Sequence, residues 1–353
     1  MHTFLFYLLF LLFFVLVAVY GERKIAAFIQ SRFGPMDVGP KGIFQTLADL
    51  IKMIQKEDIV PNSADKPIFL LGPIIVFITI FTGFSILPLH SNLAGASIES
   101  GILLLMAIIS LDVLGILMAG WGSNNKFSLY GAIRAIAQIV SFEIPLGLSV
   151  LCVVIICQSM DLQEITRQQG LYATHPIFLF GLNDMNIEVT QMGGFFSWNV
   201  VKSPILLFSF LIFFIAGLAE ANRAPFDLPE SESELVGGYH TEYSGFRWGI
   251  FMLAEYGIML LISFLAIILF FGGWNTPFIN IGSFQLANWT MGSYWEAFWL
   301  ISKTLILIFV QMWVRWTYPR LRVDQLMTLS WKYLTPFGLL LVFLCGVWKL
   351  MML

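Results

Sequence analysis

Eight long apolar stretches place the strongest limit on what this chain can fold into. A helix needs about 20 mostly apolar residues to cross a hydrocarbon core about 30 Å thick, because each residue adds about 1.5 Å. The stretches cover residues 2–20, 67–88, 99–120, 131–157, 203–221, 247–271, 297–317 and 333–352. They predict an all-α polytopic membrane protein with eight transmembrane helices, organised as a single membrane domain over residues 1–353.

The composition excludes the main alternatives to a membrane protein. Only 12% of the residues are charged, whereas soluble domains carry about 25%, so an ordinary soluble enzyme is excluded. The hydrophobic content of 58% excludes disorder, and no basic block indicates nucleic-acid binding. Cys152, Cys157 and Cys345 lie within apolar stretches without a CxxC pair. We therefore predict no disulfide framework and no zinc or other metal site.

Basic residues are distributed unequally between the connecting segments. If the N-terminus is outside, segments 21–66, 121–134, 222–247 and 315–332 lie inside, and they hold 15 of the 19 Lys and Arg residues. Cytoplasmic loops carry such an excess. The first stretch has no basic segment before it and is followed directly by Glu22-Arg23-Lys24, so we interpret it as a retained span rather than a signal peptide. Both termini are predicted to lie outside.

The first inside segment contains an amphipathic helix, predicted over about 41–57. Its apolar residues fall at offsets 0, 1, 4, 7, 8 and 11 and form one stripe: Ile43, Phe44, Leu47, Leu50, Ile51 and Ile54. Such a helix can lie flat at the membrane interface. It serves either as a surface anchor or as a flap over a lateral opening between spans, and the sequence favours the anchor.

Ionisable residues inside the predicted spans are candidate functional groups, because a charge at mid-bilayer is costly unless it is paired, neutral or hydrated. They are Asp112, Glu143, Glu220, Glu255, Glu296 and Lys303. A buried Glu without a fixed partner can hold and release a proton. For Asp112 and Glu296 a structural role is an equal alternative, and Lys303 is a candidate partner for an acid that the sequence does not identify.

An acidic inside loop, residues 222–247, joins two of these membrane acids. Seven carboxylates and two arginines occur between residues 220 and 255. Acidic loops are usually solvated, but this one is short, contains Pro225 and Pro229, and continues into membrane acids at both ends. Carboxylates close enough to repel titrate in separate steps. The pattern indicates a proton-coupled switch.

Neither the long outside segment nor any nucleotide motif supplies an active site. Residues 158–202 are polar and form either a docking surface for other subunits or a plain extracytoplasmic loop. The chain contains no strand-associated GxGxxG, no GK[ST] loop and no HExxH. If redox chemistry is involved, partner subunits must supply the electron carriers.

Three inside segments carry a resemblance to a known family. The first inside segment resembles the corresponding loop in the family of membrane H subunits (subunit 1) of respiratory complex I, the NADH-quinone oxidoreductase. The resembling residues are Glu22-Arg23-Lys24, Arg32-Phe-Gly-Pro35 and Gln45-Thr-Leu-Ala-Asp49. The central signature of that family is similar to Ala219-Glu220-Ala-Asn-Arg223-Ala-Pro-Phe226-Asp227-Leu-Pro-Glu230-Ser-Glu232-Ser-Glu234. Its last inside loop is similar to Pro319-Arg-Leu-Arg322. Eight spans also fit that family.

The resemblance implies a quinone-site subunit of a proton-pumping enzyme complex, with no complete active site in this chain alone. It assigns quinone binding or access to Arg23, Arg32, Arg223, Phe226 and Asp227. It assigns proton coupling to Glu143, Glu220, Glu230, Glu232, Glu234, Glu242 and Glu255. Quinone is implied as a substrate, while NADH, flavin and iron–sulfur clusters are expected on partner subunits.

The implied partners are peripheral quinone-site and iron–sulfur subunits, small membrane subunits, antiporter-like subunits and membrane lipid, in a bacterial inner membrane. The alternatives are a proton-coupled secondary transporter, disfavoured because no internal repeat is evident, and the anchor subunit of a related membrane-bound hydrogenase. The kind of quinone and the electron donor stay open.

Overall fold

Long apolar helices form most of the structure. The computed structural model describes residues 2–91, 93–94, 98–171, 173, 176, 178, 189–190, 192–229, 232–280 and 284–352. Its α-helices are α1 (His2–Ile29), α2 (Gln45–Gln55), α3 (Lys66–Ile86), α4 (Gly101–Ser110), α5 (Asp112–Gly122), α6 (Lys126–Cys157), α7 (Leu162–Arg167), α8 (Asn199–Lys202), α9 (Pro204–Glu220), α10 (Glu232–Leu235), α11 (Gly245–Phe270), α12 (Leu286–Trp289), α13 (Ser293–Thr317), α14 (Val323–Thr328) and α15 (Thr335–Met352). The predicted all-helical membrane fold is confirmed.

Seven helical segments of the described residues are long and apolar enough to cross a bilayer: Leu5–Ile29, Lys66–Ile86, Gly101–Gly122, Lys126–Cys157, Gly245–Phe270, Ser293–Thr317 and Val323–Met351. The fifth predicted span corresponds to α9, which has 17 residues. It is short because Pro204 begins it and the chain turns at Asn222, whose φ is 49°. The number of eight spans stays a prediction.

The third predicted span is divided at Leu111, between α4 and α5. The Leu111 N–H donates to the carbonyl of Ile108, and the Leu114 N–H donates to the carbonyl of Leu111, so both bonds span three residues. Such bonds tighten a helix locally. The break places Asp112 at the first position of α5.

A helix, α2, lies within the segment 41–57 that was predicted to be an amphipathic interfacial helix, and it is shorter than that segment. Positive φ angles at Gly39, Lys41 and Gly42 (75°, 55° and 74°) turn the chain, so α2 starts only at Gln45. Five residues of the predicted apolar stripe are exposed in the chain, namely Ile43, Phe44, Leu47, Ile51 and Ile54, and Leu50 is half-buried. Contact of this stripe with lipid stays a prediction.

The four segments that were predicted inside meet at one end of the helix bundle, which we call the basic end. Asp65 N–H donates to the carbonyl of Gly122 at 2.9 Å, and Leu321 N–H donates to the carbonyl of Pro225 at 3.1 Å. Arg247 and Asp58 form an ion pair at 2.9 Å. Basic residues that are far apart in sequence are therefore gathered in space.

The other end of the bundle, which we call the opposite end, carries α7, the segment after α11 and a small antiparallel sheet. Its strands are β1 (Pro88–His90) and β2 (Leu93–Ala94). Between the two ends, α11 is the central helix and packs against α1, α3, α9 and α13. Most of α11 is buried, so residues on it can contact groups from several spans.

Candidate functional site

A buried carboxylate, that of Glu22, receives three contacts at the basic end. Arg315 forms an ion pair and a hydrogen bond with one of its oxygens. The other oxygen accepts a hydrogen bond from the Tyr256 hydroxyl at 2.5 Å and lies 3.6 Å from Nη1 of Arg223. Glu22 is only 6% exposed. Because α1 continues to Ile29, Glu22 lies within a helix and faces α11 and α13 instead of solvent.

Arg223 connects this carboxylate with that of Glu255. Nη2 of Arg223 lies 4.0 Å from Oε2 of Glu255, and its guanidinium lies over the Tyr256 ring, 4.2 Å from the ring centre. The Tyr239 hydroxyl donates to Oε1 of Glu255 at 3.2 Å. We call Glu22, Arg223, Glu255 and Arg315 the ion-pair cluster. Two carboxylate side chains and two guanidinium groups balance in formal charge, and pairing is what makes a buried charge tolerable.

The acidic loop is attached to α6 by its own polar contacts. Glu234 bonds Arg134, and its second oxygen lies 3.7 Å from Arg320. Since Arg134 donates to it, the pKa of Glu234 is lowered from its ordinary value. Glu242 accepts a hydrogen bond from the Asn125 amide at 2.5 Å. Glu230 lies outside the described residues, and of Glu232 only the backbone, at the start of α10, is described.

Close packing of the loop on α6 depends on a glycine. A Cβ at Gly131 would lie 2.7 Å from the backbone of Gly238 and of Tyr239, closer than real side chains come. One helical turn before Gly131, the Ser128 hydroxyl donates to the carbonyl of Tyr239 at 2.9 Å. This approach places Tyr239 and, through it, Glu255.

Two of the membrane acids, Glu143 and Glu220, line one small cavity among α4, α6, α9 and α11. The cavity has room for about one water molecule. Glu220 is 3% exposed, and its Oε2 has no hydrogen-bond partner within the described chain. Asp112, the third acid of this region, is also buried. The remaining walls of the cavity are apolar: Met106, Ile109, Leu146, Phe213, Ile262 and Leu265.

Phe226 and Asp227 follow Arg223 in a tight turn, since Phe226 N–H donates to the carbonyl of Arg223 at 2.9 Å. The Phe226 ring is buried and packs against Phe142, with ring centres 5.2 Å apart. Asp227 is half-buried. In this chain Phe226 therefore faces α6 and is covered by protein, whereas a quinone-contacting ring needs an open face.

Arg23 and Arg32, the predicted entrance residues, are exposed, in contrast to the buried Glu22. Arg23 pairs with Asp49 of α2 at 2.5 Å. The Tyr20 hydroxyl donates to the carbonyl of Lys41 at 3.0 Å. These contacts hold α2 against α1.

The structure also answers the question that the sequence left open about Lys303 and Glu296 at the opposite end. Nζ of Lys303 donates to the carbonyls of Phe271 and Asn275 at 2.8 and 2.9 Å, and it lies 4.8 Å from the centre of the Trp198 ring. Lys303 therefore caps the C-terminal end of α11. The sequence suggested a buried acid as its partner, but the partners in the structure are backbone carbonyls. Glu296 accepts a hydrogen bond from Ser91 N–H at 2.9 Å.

The sequence identified Arg223, Glu255, Glu143 and Glu220 as candidates, and the structure joins them in two groups. The sequence did not identify Glu22, Arg315, Tyr239 or Tyr256 as site residues. For Glu22 a signal was available in the sequence, because this acid directly follows the first apolar stretch and would be carried into the membrane region if the helix continued through it. In the described residues no group of three or more His, Cys, Asp or Glu side chains is arranged to hold a metal ion.

Comparisons with known proteins show which proteins this chain is similar to. A family model described as NADH dehydrogenase matches residues 2–346. The NADH-quinone oxidoreductase H 2 subunit of Cytophaga hutchinsonii is 54% identical over 363 aligned positions, which cover 100% of both chains. The NADH-quinone oxidoreductase H subunit of Chlorobium luteolum is 51% identical over 94% of this chain and 84% of its own, and that of Chlorobaculum parvum is 50% identical over 94% and 86%.

Proposed function

The chain belongs to the NADH dehydrogenase family and is a multi-pass membrane subunit of an NADH-quinone oxidoreductase, and we propose that it forms the quinone chamber and couples quinone reduction to proton translocation. The enzyme is the whole complex, and this subunit alone is not complete. We further propose that quinone is its substrate and that NADH, flavin and iron–sulfur clusters are bound by partner subunits.

The ion-pair cluster is the single observation that carries this proposal. Glu22, Arg223, Glu255 and Arg315 come from α1, the acidic loop, α11 and α13, so one buried group of charges connects four parts of the chain. In a low-dielectric site such charges interact strongly. A negative charge or a proton demand arising nearby would change which guanidinium each carboxylate contacts.

Quinone reduction creates that demand, because the reduced head group takes up protons. We propose that Arg223 and Asp227 shape the polar path of the head group, and that Phe226 turns toward the quinone from its contact with Phe142. Arg23 and Arg32 would lie near the entrance, framed by α1, α2 and α11, which contact one another. The exposed apolar stripe of α2 supports an entrance from lipid.

Proton transfer from this region would use the acidic loop and the membrane acids. In the proposal Glu230, Glu232, Glu234 and Glu242 respond to the charge of the quinone. Glu255, Glu220 and Glu143 pass the response toward antiporter-like partners. The cavity beside Glu143 and Glu220 supports this role, since a water molecule there would bridge two carboxyl groups.

The proposed setting is a bacterial inner membrane with both termini on the periplasmic side. The remaining proposed partners are peripheral quinone-site and iron–sulfur subunits, which would dock on the basic end, and small membrane subunits beside the spans. Purification of the complex in mild detergent tests this, because the subunits and the quinone that copurify with the chain can be identified directly.

The decisive experiment replaces Glu220 or Glu255 by Gln in the intact complex. We expect the quinone-linked rate and proton pumping to fall about 100-fold, the contribution of a positioned proton-transferring group, while assembly is retained. The control is Glu296→Gln, a buried acid at the opposite end whose hydrogen bond with Ser91 N–H an amide oxygen preserves. Unchanged rate and pumping in both test variants would refute the proposed coupling role.

A further inference from the structure

Pro145 interrupts the hydrogen-bond ladder of α6 near Glu143. Proline has no N–H, so the carbonyl of Ser141, four residues earlier, loses the donor that a regular helix supplies. Ser141 is 4% exposed, and a buried carbonyl without a donor is costly. A donor from outside α6 can replace the missing N–H.

Ser330 supplies that donor. Its hydroxyl donates to the carbonyl of Ser141 at 2.5 Å across 189 positions of the sequence, and Ser330 is fully buried. The side chain of Ser141 makes a second contact with the same segment, because the Trp331 ring N–H donates to its hydroxyl at 3.4 Å. The two helices are thus joined where α6 lacks its own bond.

Ser330 lies in an unusual turn, the π-helix Leu329–Leu334. The N–H of Thr335 donates to the carbonyl of Ser330, five residues back, and the Thr335 hydroxyl donates to the same carbonyl at 2.9 Å. Pro336 follows and removes the N–H that would bond the carbonyl of Lys332. π-turns occur frequently at functional sites, and here the wider turn lies beside the gap that Pro145 leaves in α6.

The segment that carries Ser330 also contacts the acidic loop. Just before α14, Leu321 N–H donates to the carbonyl of Pro225, and Arg320 lies 3.7 Å from Glu234. Residues 320–334 therefore connect the loop with Ser141, and Glu143 follows two residues later on α6.

We propose that Ser330 is a positioning residue for Glu143. Its hydroxyl replaces the bond lost at Pro145 and so fixes the part of α6 that directs Glu143 into the cavity shared with Glu220. This inference rests on the proposed function of Glu143 in proton coupling, and it adds a route from the acidic loop that runs through backbone contacts as well as through acids.

The test is a double-mutant cycle in the intact complex. We expect Ser330→Ala to lower the rate of proton pumping about tenfold, because a conformational cost near 1.4 kcal/mol corresponds to that factor. Pro145→Ala restores an N–H for the carbonyl of Ser141. In that background Ser330→Ala should have no additional effect on pumping or on the pH profile of the quinone-linked rate.

Ser149→Ala is the matched control, since Ser149 is buried on the same helix and its hydroxyl donates to the carbonyl of Leu146, three residues back. We expect that variant to pump normally. An equal loss from Ser330→Ala with and without Pro145→Ala would overturn the inference, as would normal pumping in Ser330→Ala.

Glu143→Gln separates this inference from the proposed function. If Glu143→Gln stops pumping and Ser330→Ala does not, the positioning role fails and the coupling role of Glu143 stands. If Glu143→Gln pumps normally, the coupling role fails, and the role of Ser330 in pumping fails with it.

Discussion

Arginines at the basic end of the bundle contact carboxylates, whereas lysines at the opposite end contact backbone carbonyls. Arg223 and Arg315 both reach Glu22. Lys303 instead donates to the carbonyls of Phe271 and Asn275, and Lys349 donates to the carbonyl of Ile156 near the C-terminal end of α6 at 3.1 Å. The four basic residues outside the basic end are Arg167, Lys202, Lys303 and Lys349, and two of them, Lys303 and Lys349, thus contact the C-terminal end of a neighbouring helix.

This difference separates groups that can respond to a proton from groups that cannot. A carboxylate that takes up a proton loses its attraction for a guanidinium, so a cluster of such pairs changes with the charge around it. A backbone carbonyl does not titrate in this range. Lysines at helix C-termini complement the helix dipole and stabilise the opposite end, whereas the proposed function requires rearrangement at the basic end.

The largest effect is expected from Glu22→Gln, which removes the shared partner of the buried Arg223 and the half-buried Arg315. Breaking a buried ion pair costs about 3–5 kcal/mol, so the assembled complex should lose quinone-linked activity and thermal stability together. The measurement is the amount, melting temperature and turnover of the purified complex.

The double variant Glu22→Gln with Arg315→Met is the control for charge balance. Removing both members of a buried pair is often tolerated, so stability should recover in the double variant and activity should not. A Glu22→Gln complex with normal turnover would show that the cluster is only structural and would end the contrast between the two ends.

A smaller effect is expected from Lys303→Met, which leaves two carbonyls at the end of α11 without their donor. The loss of buried hydrogen bonds should lower stability by about 1–3 kcal/mol, with turnover per assembled complex and its pH profile unchanged. Differential scanning calorimetry of the purified complex measures the stability, and rate measurements across a range of pH values give the pH profile. A shifted pH profile would assign Lys303 to the proton path.

The smallest effect is expected from Glu234→Gln, because Glu234 is half exposed and solvent screens its pairs. Its pKa is lowered by Arg134, so the contact stabilises the loop above the ordinary pKa of a glutamate and is lost as the pH falls through the lowered value. Wild type and Glu234→Gln should therefore differ slightly in melting temperature at neutral pH and converge in acid.

Glu99→Gln serves as the control for that comparison, since Glu99 is an exposed acid next to α4. It should leave the melting temperature unchanged at both pH values. A difference between wild type and Glu234→Gln that persists in acid would contradict the assigned cause.

Hydropathy predicted the membrane fold and the candidate acids, and it did so for a local reason. The cost of placing each residue in lipid depends on that residue and its near neighbours, so the stretches can be recognised without knowing the fold. Helix ends were less accessible: α2 starts late because of the turn at Gly39 and Gly42, and the third predicted span divides at Leu111. Both depend on backbone conformations that hydropathy does not encode.

Partners of individual charges could not be predicted from the sequence. Lys303 was a candidate partner for a buried acid, and its actual contacts are two carbonyls. Glu22 was recognised as part of a motif, but its contact with Arg315 spans 293 positions. Ser330 carried no sequence signal at all, since its importance arises from a proline on another helix.

The amino-acid sequence alone determined that this chain is a bundle of membrane helices with acids in costly positions and basic residues concentrated in four segments. Only the tertiary structure decided which charge meets which partner. The physical reason is that transfer into lipid is summed along the chain, whereas an ion pair or hydrogen bond exists only within a few ångströms of its partner, and that distance is set by how the helices pack.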